Sequence, residues 1–321
     1  TLPVLKHAFA VRSDATASAS VAALGSEFKK LEAVHARIGD ELSASDAFKA
    51  LKKSVDAAIS STPSRESSAE LVDSALRLVV AATDGSNLTL DPDLDTYYLM
   101  DSALAAAPPL MDSILQLRDA AVASTSSGPP STKESIRSMI SAEVLALSLD
   151  TRISDGLAKV YTIRPEYKSQ FHGAAHHEAL ASFVKAISSD ANTAQDVRAQ
   201  AQKALEAYEQ LQGLMVDRLD VLLAERISGI QATRNLQAAV LIGSLLLAFY
   251  LFYSFFLVTH GGLREVQRHL ESMTSGDLTT TPKPWGRDEA AALMTSLSDM
   301  QASLRAIVTQ VRGASDSIVM A

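Results

Sequence analysis

The stretch A-A-V-L-I-G-S-L-L-L-A-F-Y-L-F-Y-S-F-F-L-V, residues 238–258, has 21 positions without a charged side chain. At a rise of about 1.5 Å per residue, a helix over this stretch is roughly 30 Å long, which matches the hydrocarbon core of a bilayer. Tyr250 and Tyr253 lie toward one end, where aromatic residues favour the membrane interface. The alternative is a core helix of a soluble protein, but at this length such a helix normally carries polar positions. We therefore predict a transmembrane helix over residues 237–258.

Composition narrows what the rest of the chain can be. Aromatic residues make up only 5% of it, and the abundant small side chains suit packed helices better than sheets. A net charge of -8 without a basic run argues against nucleic acid as a partner. The absence of cysteine excludes disulfides, thiolate metal sites and cysteine nucleophiles. The composition therefore predicts an all-α protein. Because the chain also lacks a glycine-rich phosphate loop and a G-x-S-x-G motif, we predict that it is not an enzyme and needs no cofactor.

Apolar residues after the span recur at alternating spacings of three and four, which is typical of coiled-coil seams. The connector between the two runs begins after Gly276 and contains Pro282 and Pro284, which cannot continue a helix. Asp288 and Glu289 then occupy the first turn of the second helix, where carboxylates favour the positive end of the helix dipole. The two runs are Leu263, Val266, Leu270 and Met273, followed by Ala290, Leu293, Leu297, Met300, Leu304, Ile307 and Val311.

Two short seams do not bury themselves as an isolated hairpin, so we expect pairing with a second chain into a parallel four-helix bundle. The arrangement resembles a HAMP domain over residues 259–311, because G-D-L at 276–278 and G-R-D-E at 286–289 match that family's connector start and second-helix start. The resemblance implies a homodimeric signal relay in which Leu278 packs onto the bundle. Gly261 and Gly262 stand where a proline commonly opens the first HAMP helix, so we expect a looser junction. An unrelated juxtamembrane coiled coil is the alternative.

The end of the chain, V-R-G-A-S-D-S-I-V-M-A at 311–321, looks like the opening of the cytoplasmic helix of methyl-accepting chemotaxis proteins. The resemblance implies a chemoreceptor of the bacterial inner membrane, with residues 1–236 periplasmic and 259–321 cytoplasmic. Residues 312–321 would begin the signalling helix. The chemotaxis histidine kinase and its coupling protein would bind a region beyond Ala321. A sensor histidine kinase or diguanylate cyclase is the enzymatic alternative, and a membrane-anchored coiled coil without a ligand is a third.

Residues 1–236 show helical periodicity broken by proline and serine clusters, and we predict a sensor domain of about six helices. Pro108 and Pro109 are expected to kink or split one helix. The length resembles that of a helical bimodular sensor of chemotaxis receptors, and a single bundle with long helices is the alternative. Such a sensor would bind a small periplasmic ligand directly or through a periplasmic binding protein. Capping boxes are expected at Ser67 with Glu70, Ser131 with Glu134 and Thr193 with Asp196.

The sharpest local motif is N-L-T-L-D-P-D-L-D-T-Y-Y-L-M-D at 87–101, which resembles a segment of large helical sensors of chemotaxis receptors. Its alternating aspartates lack the glycine and the final glutamate of a calcium loop, so we predict a turn instead. Pro92 fixes the backbone of this turn, and Asp93 or Asp95 caps the following helix. Tyr98 is a candidate to line a ligand pocket, although packing against neighbours is the alternative.

A basic cluster before Pro165 offers groups that hold a carboxylate ligand, and surface salt pairing is the alternative. Its members, which with Tyr98 form the predicted ligand-binding set, are Arg152, Lys159, Tyr161 and Arg164. A second cluster, His172, His176 and His177, has a metal-like spacing but no Asp or Cys at ligand spacing. We therefore predict a solvated helix face there and no metal site.

Overall fold

The computed structural model describes residues 1–13, 18–127, 132–171, 174–189, 193–284 and 286–319. Every regular element in these ranges is helical, which confirms the all-α fold. Two compact units make up the chain, residues 1–227 and residues 228–321. The boundary between them falls inside one helix.

The first unit contains nine described helices and the first part of a tenth. The unit has more helices than the six expected, partly because residues 39–44 interrupt the predicted long N-terminal helix. Ser43, within this break, has a positive φ of 51°. The helices are α1 Leu2–Ser13, α2 Ser18–Ile38, α3 Ser45–Ser60, α4 Arg65–Gly85, α5 Leu94–Met100, α6 Ala107–Ser127, α7 Lys133–Ile163, α8 Tyr167–Gln170, α9 Ala175–Ile187 and α10 Ala194–Thr274.

The helix starts follow local capping chemistry, but two of the caps predicted from the sequence are wrong. The side chain of Ser64, not that of Ser67, caps α4, and Ser67 is its partner in the first turn. Thr132 caps α7 by accepting from the amide of Ser135, and the predicted Ser131 lies outside the described residues. The capping box of Thr193 with Asp196 is confirmed, since each residue's amide donates to the other's side chain.

Pro108 and Pro109 do not split their helix. A π-helical turn, Asp101–Ala106, joins α5 to α6, and the amide of Ala107 donates to Ser102, five residues earlier. In that register Pro108 would pair with the carbonyl of Ala103, but proline has no N–H to donate. The buried side chain of Gln212 on α10 donates to this carbonyl instead, at 2.7 Å. This hydrogen bond, to a carbonyl that the π-helical turn and Pro108 leave without a backbone donor, therefore links the α5–α6 helix to α10.

Buried apolar side chains of the first unit form one cluster. It includes Leu71, Leu99, Met111, Ile153 and Tyr208, which lie on α4, α5, α6, α7 and α10. In the described part of this unit, these buried side chains form one continuous cluster, and the division of the sensor into one or two modules stays a prediction.

The second unit holds the remainder of α10, a connector, and α11 Glu289–Val319. The apolar window of α10 is long and hydrophobic enough to cross a membrane, and none of it is buried. A core helix of a soluble protein would be mostly buried, so the exposure of Leu246, Phe252 and Phe255 contradicts that alternative.

Candidate functional site

The motif at 87–101 folds as the predicted turn, and Asp95, not Asp93, accepts from an amide in the first turn of the next helix, that of Thr96 at 2.9 Å. Asn87 adopts a left-handed conformation, a short 3-10 turn follows at Leu88–Leu90, and Asp93 is the residue before α5 without a capping bond from its side chain. The amide of Asp93 donates to Asp91 Oδ1 at 3.0 Å. The carboxylates of the motif also pair with basic side chains of α7 and α10.

Asp91 pairs with Arg226, a residue of α10 that in the sequence is only a charge flanking the membrane span. Arg226 donates to Asp91 Oδ1 at 2.9 Å and to Thr96 Oγ1 at 2.8 Å, and it also contacts Asp93. The Asp91 side chain is only 2% exposed. Burial alone would raise the pKa of this carboxyl, but the Asp93 amide and the Arg226 guanidinium outweigh burial and lower the pKa. The pair ties the motif to the last turns of α10 in the first unit.

The predicted basic cluster faces the same motif. Arg152 donates to Asp101 at 2.9 Å, and Arg164 donates to Asp95 at 3.1 Å. The carboxylates that these two arginines hold therefore belong to the chain itself, as in surface salt pairing. Pairing across 51 and 69 residues of sequence shows why spacing alone could not match these partners.

Tyr98, Arg152 and Lys159 lie together, while Tyr161 and Arg164 lie apart from them. Lys159 donates to the Tyr98 hydroxyl at 3.1 Å, and its ammonium is 4.5 Å from the centre of the tyrosine ring. The hydroxyl of Tyr161 is buried without a hydrogen-bond partner in the described structure. A shallow cavity of about 360 Å³ opens beside the first three residues. Its lining consists of Tyr98, Asp101, Ser148, Thr151, Arg152, Asp155, Gly156 and Lys159.

The predicted solvated face is confirmed for His177, whose side chain is 59% exposed, and is wrong for His176. Buried Asp150 on α7 accepts from the Tyr208 hydroxyl at 2.5 Å and lies 2.6 Å from Nδ1 of His177. His176 is buried, and its ring meets Tyr208 edge-on at 5.5 Å between centroids. His172 lies outside the described residues. Among the residues that are described, no group of three or more acidic, His or Cys side chains is placed to hold a metal ion.

We expect acid to destabilise the first unit through His176. Burial lowers the pKa of His176, the charge of Asp150 opposes this effect, and that of His177 adds to it. Since the folded pKa lies below the unfolded value of 6.5, the unfolded chain binds the proton first as pH falls. Stability is therefore complete above about pH 6.5 and is lost below it.

Thermal unfolding of the wild type and the His176→Phe variant, compared at about pH 7.5 and about pH 5.5, measures this effect. The wild type should lose more of its melting temperature than the variant, because phenylalanine keeps the ring contact with Tyr208 and cannot titrate. Equal losses in the two proteins would assign the acid sensitivity to other groups.

In the second unit, α11 packs on the end of α10 through a face that only partly matches the predicted seam. Val266, Met294 and Leu297 are buried together, and Met273 packs against them. Met294 was not predicted, because it lies one position off the alternating pattern. The other predicted apolar relay residues stay substantially exposed in the single chain: Leu263, Leu270, Leu293, Met300 and Leu304. A second apolar face is therefore left uncovered along both helices.

The connector packs along α11 through its backbone. Gly276 ends α10 with a φ of +86°, a conformation that glycine adopts without strain. The carbonyl of half-buried Leu278 accepts from Arg305, and that of Thr280 accepts from Gln301. Asp288 begins α11 by accepting from the amide of Ala291 at 2.9 Å, with exposed Glu289 in the first turn. Two α-helices joined by an extended, docked connector are thus in place within this unit.

Comparison with known protein families decides what this arrangement is. Residues 259–306 match the HAMP domain. A search of curated proteins and a search of solved structures each gave no match to the chain. The HAMP domain is a signalling domain without a catalytic role of its own, and it begins directly after the exposed apolar window of α10. The chain is therefore a membrane-anchored, signal-transducing sensor.

The two glycines that open the HAMP domain are not equivalent. α10 continues through both, but Gly262 is buried and a Cβ there would meet the Ala290 Cβ at 2.7 Å. A Cβ at Gly261 would meet nothing within 4 Å. Gly262 therefore lets α10 approach the start of α11 closely. The looser junction between the membrane span and the HAMP domain stays a prediction.

Alanine at these two positions gives a matched test. Gly262→Ala should destabilise the HAMP domain by about 1–3 kcal/mol because it overpacks a close contact. Gly261→Ala should stabilise it by about 0.5–1 kcal/mol through helix propensity. Urea unfolding followed by the fluorescence of Trp285, the one tryptophan in the sequence, measures both changes. Equal shifts in the two variants would contradict the close approach.

Proposed function

We propose that the chain is a homodimeric chemoreceptor of the bacterial inner membrane that senses a small periplasmic solute. The observation that carries this proposal is the HAMP domain placed directly after a membrane-length apolar segment of α10, a helix that begins in the first helical unit. Residues 1–236 are periplasmic in this proposal, and residues 259–321 are cytoplasmic. The resemblance of the C-terminal residues to methyl-accepting chemotaxis proteins favours output through a chemotaxis histidine kinase and its coupling protein.

The proposed ligand site is the cavity beside Tyr98, Arg152 and Lys159. Its lining combines two cationic groups with Asp101, Asp155 and three hydroxyl side chains, which suits a small solute bearing both charge signs. A ligand carboxylate would compete with Asp101 for Arg152. Binding would thus change the pairing between α7 and the π-helical turn.

The proposed relay is a change in packing of the dimeric HAMP domain. Ligand at about a hundred times its dissociation constant supplies about 2.7 kcal/mol to the state that it prefers. Typical coupling energies of about 1–3 kcal/mol are enough to repopulate two nearly balanced states. The exposed apolar residues Leu293, Met300 and Leu304 supply the surface that a second chain would cover.

Cysteine cross-linking tests the homodimer directly, because the sequence contains no cysteine of its own. In membranes, Met300→Cys should form an intermolecular disulfide rapidly upon oxidation, since the residue lies on the proposed seam. Ala302→Cys, exposed on the same helix but off the seam, is the control and should react slowly. Equal rates at the two positions would rule out a parallel seam through Met300.

A hybrid receptor tests the chemotaxis assignment. The chain is joined after Ala321 to the kinase-control hairpin of a chemoreceptor, and kinase activity is measured in membranes with amino acids and organic acids. We expect at least one solute to change kinase activity and the Arg152→Gln variant to weaken that response. Constant kinase activity with every solute would overturn the proposal. A ligand response seen only after fusion to a histidine kinase or diguanylate cyclase module would favour the enzymatic alternative.

A further inference from the structure

A second polar cavity, also of about 360 Å³, lies at the end of the first unit where α10 begins. Its defining feature is an arginine cluster contributed by four helices: Arg12 on α1, Arg65 on α4, Arg118 on α6 and Arg198 on α10. Asp119 is the one acidic residue among those that line it. The described lining therefore carries far more positive than negative charge.

The carboxylates nearby do not satisfy this cluster. Asp119 is shared, because Arg118 holds it at 2.6 Å while Arg65 and Arg12 approach it only to 3.8 and 4.0 Å. Asp112 pairs with one terminal nitrogen of Arg12. In the described structure Arg198 forms no ion pair or hydrogen bond with any of these groups. Among the described residues, two carboxylates, Asp112 and Asp119, thus pair with a cluster of four guanidinium groups.

Arg12 provides an independent observation that points to a missing partner. Its side chain is only 8% exposed, and its Nε is fully buried without a hydrogen-bond partner in the described structure. Buried donors of charged groups are normally satisfied, so the surrounding carboxylates, of which that of Asp119 lies 4.0 Å from this Nε, do not saturate the Arg12 guanidinium. The terminal nitrogens of Arg118 are meanwhile held by Asp119 and by the Arg12 carbonyl.

We propose that the arginine cluster binds a small organic anion carrying two or more carboxylate groups. Guanidinium forks match carboxylates in pairs, and arginines from four helices surround the space. The cavity is in the size range of small-molecule sites and is much larger than an inorganic oxyanion. The site is separate from the cavity beside Tyr98, and its existence does not depend on the chemoreceptor assignment.

Occupation of this site has a structural consequence. An anion held by the cluster would bridge the first turns of α10 to α1, α4 and α6 through charge-assisted hydrogen bonds. Repulsion among the arginines favours separation of these helix ends when the site is empty. Anion binding therefore closes the end of the bundle from which α10 starts.

Isothermal titration calorimetry on the full chain in detergent micelles tests the proposal, with succinate, citrate and inorganic phosphate as probes. Ionic strength is matched with sodium chloride, because bulk salt screens such sites. We expect a dicarboxylate or tricarboxylate to bind, and the Arg198→Gln variant to bind it at least about tenfold more weakly. Arg198 is exposed, so this substitution leaves the fold intact, which circular dichroism verifies.

Arg77→Gln is the matched control, since Arg77 is an exposed arginine of α4 that pairs with Asp73 away from the cavity. Its affinity for the anion should equal that of the wild type, and Arg198→Lys should fall between wild type and Arg198→Gln. Equal affinities of Arg198→Gln and Arg77→Gln, or no binding of any probe, would overturn the site. Binding of phosphate without binding of either carboxylate would overturn the assigned ligand class.

Discussion

Leu297→Asp is expected to unfold the HAMP domain within each single chain and to abolish signalling. Leu297 is only 6% exposed and packs with Val266 and Met294. Removing a buried leucine costs about 2–5 kcal/mol, and an unpaired carboxylate in its place adds a desolvation penalty. The expected loss therefore exceeds about 3 kcal/mol. Urea unfolding monitored by Trp285 fluorescence should show it as a large fall in the midpoint.

Met300→Asp separates the single-chain contribution from that of the dimer. Met300 is 45% exposed in one chain, so its replacement should cost little unless a second chain covers it. We expect Met300→Asp to weaken dimerisation, measured by sedimentation of the chain in micelles, and to make its stability depend on protein concentration. Ala302→Asp, exposed on the same helix, should alter neither property. A Met300→Asp chain that dimerises normally would contradict the proposed seam.

Arg226→Met is expected to destabilise the first unit by about 3 kcal/mol. The substitution leaves the Asp91 carboxylate buried without its main partner, and losing one member of a buried pair costs about 3–5 kcal/mol. The lower end applies because the Arg226 side chain is 27% exposed. Thermal unfolding followed by circular dichroism measures the loss. Arg234→Met, at an exposed position further along α10, is the control and should leave the melting temperature nearly unchanged.

A double-mutant cycle distinguishes an unpaired charge from lost packing. Asp91→Asn removes the carboxylate, so the double variant with Arg226→Met should be more stable than the sum of the two single losses predicts. Strict additivity would mean that Arg226 acts through its aliphatic stem rather than through the ion pair.

The all-helical fold, the membrane-length helix and the HAMP domain were predictable because each depends on patterns local to the sequence. Uncharged length marks the span, and alternating spacings mark the HAMP helices. Partners that meet across the fold were not predictable from the same patterns. Arg226 meets Asp91 across 135 residues, and Asp150 meets Tyr208 across 58. Contacts between residues so far apart in sequence leave no periodic pattern from which they could be predicted.

The candidate site shows the same division. Tyr98 and Lys159 were both singled out by residue type and do meet. The acids that hold Arg152 and Arg164 were in the motif already quoted, but the sequence did not reveal that they face these arginines. His176 appeared to belong to a solvated face because its burial depends on how α9 packs against Tyr208, which one helix's sequence does not reveal.

The hydrogen bond from Gln212 to the carbonyl of Ala103 limits how far α10 can slide along its axis before the bond breaks. A slide of α10 by two residues' rise, about 3 Å, would carry the amide nitrogen from 2.7 Å to about 4 Å from the carbonyl oxygen, which is beyond bonding distance. Pro108 has no N–H that could replace this donor. The Ala103 carbonyl would therefore be left buried without a hydrogen bond, which costs about 1–3 kcal/mol. In the proposed function, a bound solute supplies a comparable free energy, so ligand binding offsets the cost of breaking this hydrogen bond.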